Sequence, residues 1–425
     1  ASDYSSANIL TFYNIMKTRS SVLLLVLLVS INCYDFRVHL ASLGKDPCPN
    51  GLFSDMLTTL KYPFQAYSVT TQDGYILRVF RMQAKNTQIT TGKKVVFLQH
   101  GLLDSADDWV VNDEDKSLGF VLANAGYDVW LGNSRGNKYS RANMNISPSH
   151  RAFWDYSFQE MGLYDVKAQL SFVINFTGAK KITYVGHSQG TTQMFAALSD
   201  PSTQAFVNTY INVFIALAPV VYVANATSKL VKYLAGDSVL IDACKLFGID
   251  EWLPGACSKT SAQSEFEHYC CLLDPLLCDA FISLVADYDP RYDNEKRFPI
   301  FVEHNPSGSS MHSLLHYRQL YEESKLKQVF RRFDYGRTEN EKKYGQATPP
   351  PYDLTLINLP IRGFTGLDDE LGDPTDSAML AADLQRLGKD YKSYTYNNCG
   401  HLTFMWAKDP AQMFKDILGE IANFA

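Results

Sequence analysis

Residues 182–199 read ITYVGHSQGTTQMFAALS and place a serine, Ser188, between an apolar run and a helix-forming segment. The run at 182–186 suits a buried strand, and residues 191–199 are apolar and free of helix breakers. Ser188 lies within GHSQG, a G-x-S-x-G pattern in which a sharp strand-to-helix turn exposes the serine hydroxyl. The stretch therefore predicts a strand, a tight turn and a helix, with Ser188 as a candidate nucleophile.

A second match to this pattern, GNSRG at 132–136, also follows an apolar run. The segment after it, NKYSRANMNISPSH, is rich in Asn and Ser and contains Pro148, which is typical of a loop. A reacting serine on such a turn needs the helix directly after it, because the helix N-terminus stabilises developing negative charge. We therefore favour Ser188 as the nucleophile and interpret Ser134 as a loop residue.

Strand-like and helix-like segments alternate on both sides of this turn. A hairpin is predicted at 66–82, around the pair Asp73-Gly74. Further strands are predicted at 94–99, 127–132, 182–186, 212–220, 359–366 and 391–396, and helices at 114–125, 159–176, 191–199, 375–387 and 410–423. This alternation predicts an α/β fold with an open, mostly parallel sheet and helices on both faces.

The alternation stops at about residue 222 and resumes after residue 352. We interpret 45–221 and 353–425 as one core domain, and 222–352 as an inserted, largely helical cap or lid. In open α/β sheets ligands bind at the carboxyl ends of the strands. The cap is therefore expected to cover that edge.

A serine nucleophile needs a base and an orienting carboxylate, which in this strand–turn–helix setting follow in the order Ser, Asp or Glu, His. Of the nine histidines, only His401 lies beyond the last loop rich in acidic residues, FTGLDDELGDPTD at 364–376. That loop offers four aspartates, and their spacing from the preceding strand favours Asp368 or Asp369. The pattern thus predicts His401 as the base and leaves the carboxylate open between these two.

An oxyanion formed during acyl transfer needs two N–H donors. One is expected from Gln189, the residue after the nucleophile. The other is expected from Leu102 in the tetrapeptide HGLL at 100–103, directly after a buried strand.

The N-terminal region is typical of a secretory leader. Lys17 and Arg19 precede the apolar run VLLLVLLVSI at 22–31, which is shorter than the roughly 20 residues of a transmembrane helix. We expect residues 1–33 to form a leader and a secretory signal peptide, and residues 1–15 not to belong to the native protein. No transmembrane segment is expected. Three sequons, at Asn145, Asn175 and Asn225, predict N-glycosylation.

Five of the eight cysteines fall within 244–278. An oxidising compartment favours disulfides among them, and a zinc site is the less favoured alternative because paired C-x-x-C motifs are missing. The five are Cys244, Cys257, Cys270, Cys271 and Cys278. The net charge of −6, without long charged runs, speaks against a nucleic-acid partner.

Several long motifs together resemble the acid lipases, the family of gastric and lysosomal acid lipases and their invertebrate relatives. They are VVFLQHGLLDSADDW, GYDVWLGNSRGN, YVGHSQGTT, ALAPV, HNPSGSS and GHLTFMWAKDP. The resemblance spans roughly 45–425. It implies an α/β-hydrolase core with a cap, and hydrolysis of triacylglycerols or cholesteryl esters at a lipid–water interface. It implies a secreted protein, or alternatively a lysosomal one.

The family's catalytic residues fall on Ser188, Asp369 and His401, with Asp368 as the fallback, and its oxyanion donors on Leu102 and Gln189. No cofactor or metal ion is expected. Thr403 departs from the family, where Asp is frequent, and the cap cysteines do not align cleanly. Two alternatives stay open: another serine esterase or acyltransferase, and a non-catalytic lipid-binding protein on the same fold.

Overall fold

An eight-stranded sheet forms the centre of the structure, a computed structural model that describes residues 51–228, 250–253, 255, 287–324 and 328–424. The strands are β1 (Phe64–Thr70), β2 (Ile76–Met82), β3 (Val95–Gln99), β4 (Asp128–Gly132), β5 (Ile182–His187), β6 (Ile211–Leu217), β7 (Glu251–Trp252), β8 (Ser309–Ser310), β9 (Ile361–Gly366) and β10 (Tyr391–Tyr396). The large sheet has the order β1-β2-β4-β3-β5-β6-β9-β10, and β7 pairs with β8 separately.

Helices cover both faces of this sheet. They are α1 (Gly51–Leu60), α2 (Leu118–Asn124), α3 (Val166–Thr177), α4 (Gln189–Leu198), α5 (Gln204–Tyr210), α6 (Phe298–His304), α7 (Met311–Ser324), α8 (Arg337–Tyr344), α9 (Pro374–Arg386), α10 (Thr403–Trp406) and α11 (Ala411–Phe424). A helical turn at Phe158–Glu160 and a π-helical turn at Met161–Asp165 precede α3.

The strand pairing confirms the predicted α/β class. Strand β2 is antiparallel to both its neighbours, β1 and β4, whereas every pair from β4 to β10 is parallel. The predicted hairpin is confirmed too, since Thr71 N donates to Tyr75 O (2.8 Å) around Asp73-Gly74. Strands β3 and β5 are buried at every residue, as expected for parallel strands covered on both faces.

Alternate residues of each central strand feed two separate apolar cores. Val96 and Leu98 of β3 face one core, with side chains from α1, α2 and α11, whereas Val95 and Phe97 face the other, with side chains from α3, α4 and α9. Each fully buried apolar side chain of this kind contributes roughly 1.5–3 kcal/mol. Packing in the two cores holds the strands in place, and the strands in turn position the loops at the carboxyl edge of the sheet.

The first prediction concerns Gly190, because a β-carbon there would lie 2.3 Å from the carbonyl oxygen of Gln99. Gly190→Ala is expected to cost about 3 kcal/mol of unfolding free energy, the upper end of the usual range, since backbone rather than a side chain would have to move. Urea unfolding checks this, with Gly419→Ala as the control, where no atom lies within 4 Å. A Gly190→Ala midpoint equal to that of wild type would contradict the close packing.

The described residues of the segment 222–352 include α6, α7 and α8 and the pair β7–β8. Their assignment to a separate cap stays a prediction. The predicted leader and the cluster of five cysteines lie outside the described residues. Cys399, which the structure does describe, is buried and unpaired.

Candidate active site

Ser188 lies on the turn between β5 and α4 and has a strained backbone, with φ 52° and ψ −120°. Such a conformation costs a non-glycine residue of order 1–3 kcal/mol and persists only where the surroundings enforce it. Here Ser188 N donates to Leu217 O of the adjacent strand (3.0 Å), and Gly186 allows the turn to close. The predicted strand, tight turn and helix are confirmed, and Ser188 is left half-buried.

His401 joins Ser188 to Asp369. Its Nε2 lies 2.7 Å from Ser188 Oγ, and its Nδ1 lies 3.0 Å from both carboxylate oxygens of Asp369. A carboxylate only accepts hydrogen bonds, so Nδ1 carries the proton and Nε2 is free to accept from the hydroxyl. The structure thus brings together the three residues predicted from the sequence.

Of the two candidate aspartates, Asp369 is the one that reaches His401. It is 2 % exposed, and its Oδ1 accepts N–H bonds from Leu371 (2.9 Å) and Gly372 (2.7 Å). Asp368 is exposed, and its N–H donates to Cys399 O. In the described structure, the side chain of Asp368, the alternative candidate, makes no hydrogen bond with His401.

Charges around His401 raise its pKa. Burial alone lowers the pKa, but the charge of Asp369 and its hydrogen bond outweigh this, helped by Asp287 and Asp104. The neighbouring ring of His187 behaves oppositely, because burial lowers its pKa to about 3. His187 is therefore neutral, and its Nε2–H donates to the carbonyl of His401 (3.0 Å).

Two family models match the chain, and both concern this fold. The model described as "Partial alpha/beta-hydrolase lipase region" matches residues 53–113, and the model described as "alpha/beta hydrolase fold" matches residues 94–228. The second match contains Ser188 and β3 to β6.

Curated relatives match over most of their length. Gastric triacylglycerol lipase of Rattus norvegicus is 40 % identical over 384 residues, which are 89 % of this chain and 93 % of the relative. A relative from Crotalus adamanteus, named for lysosomal acid lipase and cholesteryl ester hydrolase, is 38 % identical over 88 % of this chain and 91 % of its own. The chain belongs to the acid lipase family. Lipase lipl-1 of Caenorhabditis elegans is 38 % identical over 85 % of this chain and 89 % of its own.

In this acid lipase the loop after β3 lies against the serine. A β-carbon at Gly101 would lie 3.0 Å from Ser188 Cβ and 2.5 Å from Asp104 Oδ2, so a side chain at this position would crowd both residues. Among the described residues, no backbone acceptor takes up the N–H groups of Leu102 or Gln189. Leu102 directly follows Gly101, and Gln189 directly follows Ser188, so both N–H groups belong to segments next to the serine. Their role as oxyanion donors stays a prediction.

The second G-x-S-x-G match has a structural place in the acid lipase. Ser134 Oγ accepts from Gln99 Nε2 (3.1 Å), and Ser134 N donates to His100 Nε2 (3.0 Å). Arg135, fully buried, forms ion pairs with Asp165 and Asp73. These hydrogen bonds and ion pairs anchor the loop after β4, which is consistent with the interpretation of Ser134 as a loop residue.

Sequence reasoning missed two carboxylates near the site. Asp104 Oδ2 accepts from Gly101 N (3.1 Å), and burial raises the pKa of Asp104 to about 6. Asp287 contacts the loops of both Asp369 and His401. Asp104 lies within the quoted motif VVFLQHGLLDSADDW, which could have drawn attention to it. No local pattern distinguishes Asp287.

Thr403 departs from the family pattern, yet its side chain still stabilises the histidine loop. Its Oγ1 accepts from Gly400 N (3.0 Å). The nearby Asp293 is fully buried, and burial raises its pKa to about 7.

The three sequons differ in exposure. Asn145 and Asn175 are exposed, whereas Asn225 is half-buried and its Nδ2 donates to Asp376 Oδ1 (2.8 Å). Within the described ranges, no helix combines the length and hydropathy that a membrane crossing requires.

Proposed function

We propose that this acid lipase hydrolyses carboxylic esters of lipids, namely triacylglycerols, cholesteryl esters or both, through an acyl-enzyme on Ser188. One observation carries the proposal: the continuous hydrogen-bonded chain from Ser188 Oγ through His401 to Asp369. The choice of lipid esters rests on the names of the relatives, a triacylglycerol lipase and a cholesteryl ester hydrolase.

The geometry supports a two-step acyl transfer. His401 Nε2 takes the proton of Ser188 Oγ as that oxygen attacks the ester carbonyl, and the negative charge of Asp369 stabilises the imidazolium. The N–H groups of Leu102 and Gln189 stabilise the oxyanion, each donor contributing about 3–4 kcal/mol. His401 then protonates the leaving alcohol, and water repeats the cycle on the acyl-enzyme. No step needs a cofactor or metal ion.

Paired substrates test the proposal: an emulsified long-chain triacylglycerol or cholesteryl ester, and a soluble short-chain ester. We expect the wild-type protein to hydrolyse the emulsified esters and to be labelled by a serine-reactive phosphonate. Hydrolysis of the soluble ester alone would favour the general esterase or acyltransferase. Absence of labelling would favour the non-catalytic lipid-binding protein.

The cellular setting belongs to the same proposal. We infer a protein of the secretory route, secreted or delivered to lysosomes, with a cap formed by residues 222–352 between the core segments 45–221 and 353–425. The exposure of the sequon residues Asn145 and Asn175 supports this route. Enzymatic deglycosylation of protein from a secreting cell, followed by mass measurement of each sequon, tests it. The half-buried Asn225 is expected to carry the lowest occupancy.

A further inference from the structure

We propose that Asp287 is a positioning residue that holds the loops carrying Asp369 and His401 in one fixed geometry. This inference rests on the proposed function, because the distance between Asp369 and His401 matters only if the two residues act in catalysis. Asp287 comes from the predicted cap segment, far along the chain from either partner.

The carboxylate of Asp287 accepts hydrogen bonds from both loops at once. His401 N donates to its two oxygens (2.7 and 2.8 Å), and Leu402 N donates to Oδ1 (3.3 Å). On the other loop, Glu370 N, directly after Asp369, donates to Oδ2 (2.9 Å). One anion thus satisfies backbone donors from both loops, in addition to the direct hydrogen bond from Asp368 N to Cys399 O (3.1 Å).

The fit of Asp287 against the histidine loop is close. A β-carbon at Gly400 would lie 2.9 Å from Asp287 Cγ, so only glycine admits the carboxylate at this distance. The segment that supplies Asp287 continues along the residues after His401, where Asn294 N donates to Trp406 O at the end of α10 (2.7 Å) and Lys408 N donates to Tyr292 O (2.8 Å). Asp287, Tyr292 and Asn294 therefore all contact the segment 401–408, which begins with the proposed base.

Asp287 also acts on His401 by its charge. The groups facing His401 are Asp369, Asp287 and Asp104, whose charges favour the imidazolium, and the neutral His187. Burial and then the charge of Asp369 raise the pKa of Asp287 to about 6, while His401 opposes this rise. Asp293 and Cys399 also interact electrostatically with Asp287. Loss of the Asp287 charge therefore lowers the pKa of His401.

Asp287→Asn is the test, since it removes the charge and turns an N–H₂ group toward the loop donors. With a soluble short-chain ester, we expect kcat to fall by about 10- to 100-fold, because small misplacements of reacting groups have effects of this size. KM should stay within about twofold. The acidic limb of the kcat profile should move to lower pH, because His401 must be neutral to act as base.

Asp289→Asn is the matched control, on the same segment, where the carboxylate pairs with Arg291 and, among the described residues, accepts no hydrogen bond from the loops of Asp369 and His401. Rates are expressed per serine labelled by the phosphonate, so that misfolded protein does not count. A kcat like that of Asp289→Asn, an unmoved acidic limb, or a variant that yields no labelled serine would each overturn the positioning role. Wild-type protein inactive on every ester would instead refute the proposed function.

Discussion

Ser188→Ala is expected to lower kcat on a soluble ester by about 10⁶-fold, the scale seen when a serine nucleophile is removed from such a triad. The loss is large because the hydroxyl on the strained turn forms the covalent bond, and no other described nucleophile takes its place beside His401 Nε2. It corresponds to about 8 kcal/mol of transition-state stabilisation. Single-turnover assays and the absence of phosphonate labelling measure it.

Ser134→Ala is the matched control, since it removes the serine of the other G-x-S-x-G match. That change deletes the hydrogen bond from Gln99 Nε2 and the longer one to Gln193 Oε1 (3.5 Å), with a cost of about 1–3 kcal/mol to stability because buried polar groups lose their partner. The variant should still be labelled, with kcat within about tenfold of wild type. If Ser134→Ala lost the label and Ser188→Ala kept it, the assignment of the nucleophile would be wrong.

The order of strands and helices could be predicted from the sequence because local patterns determine it. Buried parallel strands are short apolar runs, and the Asp73-Gly74 hairpin has a specific turn chemistry. The turn at Ser188 could be predicted for the same reason, since its two glycines and its helix are neighbours in the chain. The π-helical turn before α3 was not predicted; it packs against α4, a segment distant in the chain, and a β-carbon at Gly162 would lie 2.8 Å from Gln193 O.

Contacts between distant segments could not be predicted in this way. Asp368 and Asp369 share one sequence context, and spacing alone does not choose between them. The structure distinguishes them by the direction each takes where β9 ends, one outward and one toward His401. Asp287 precedes His401 by 114 positions, and its carboxylate contacts the histidine loop only because the fold brings the two segments together. The local pattern of apolar and polar residues does not predict such a contact.

Asp369→Asn is expected to lower kcat by about 10⁴-fold while leaving the fold intact. The amide oxygen can replace Oδ1 and accept from Leu371 N and Gly372 N, which leaves the N–H₂ group facing His401 Nδ1. That donor favours the tautomer with its proton on Nε2, which cannot accept from Ser188. The loss corresponds to about 5 kcal/mol. The residual activity should have its acidic limb at lower pH, since the carboxylate that raises the pKa of His401 is gone.

Asp368→Asn separates this effect from any general change in the acidic loop. Its side chain is exposed, and the contact that fixes this residue comes from its backbone N–H, which the substitution leaves in place. We expect kcat and the pH profile of Asp368→Asn to match wild type within about twofold, because exposed charges interact weakly through water. A loss confined to Asp368→Asn would transfer the orienting role to that residue. Equal losses of kcat in both variants would mean that His401 depends on the total charge of the acidic loop and not on the hydrogen bond between Asp369 and Nδ1.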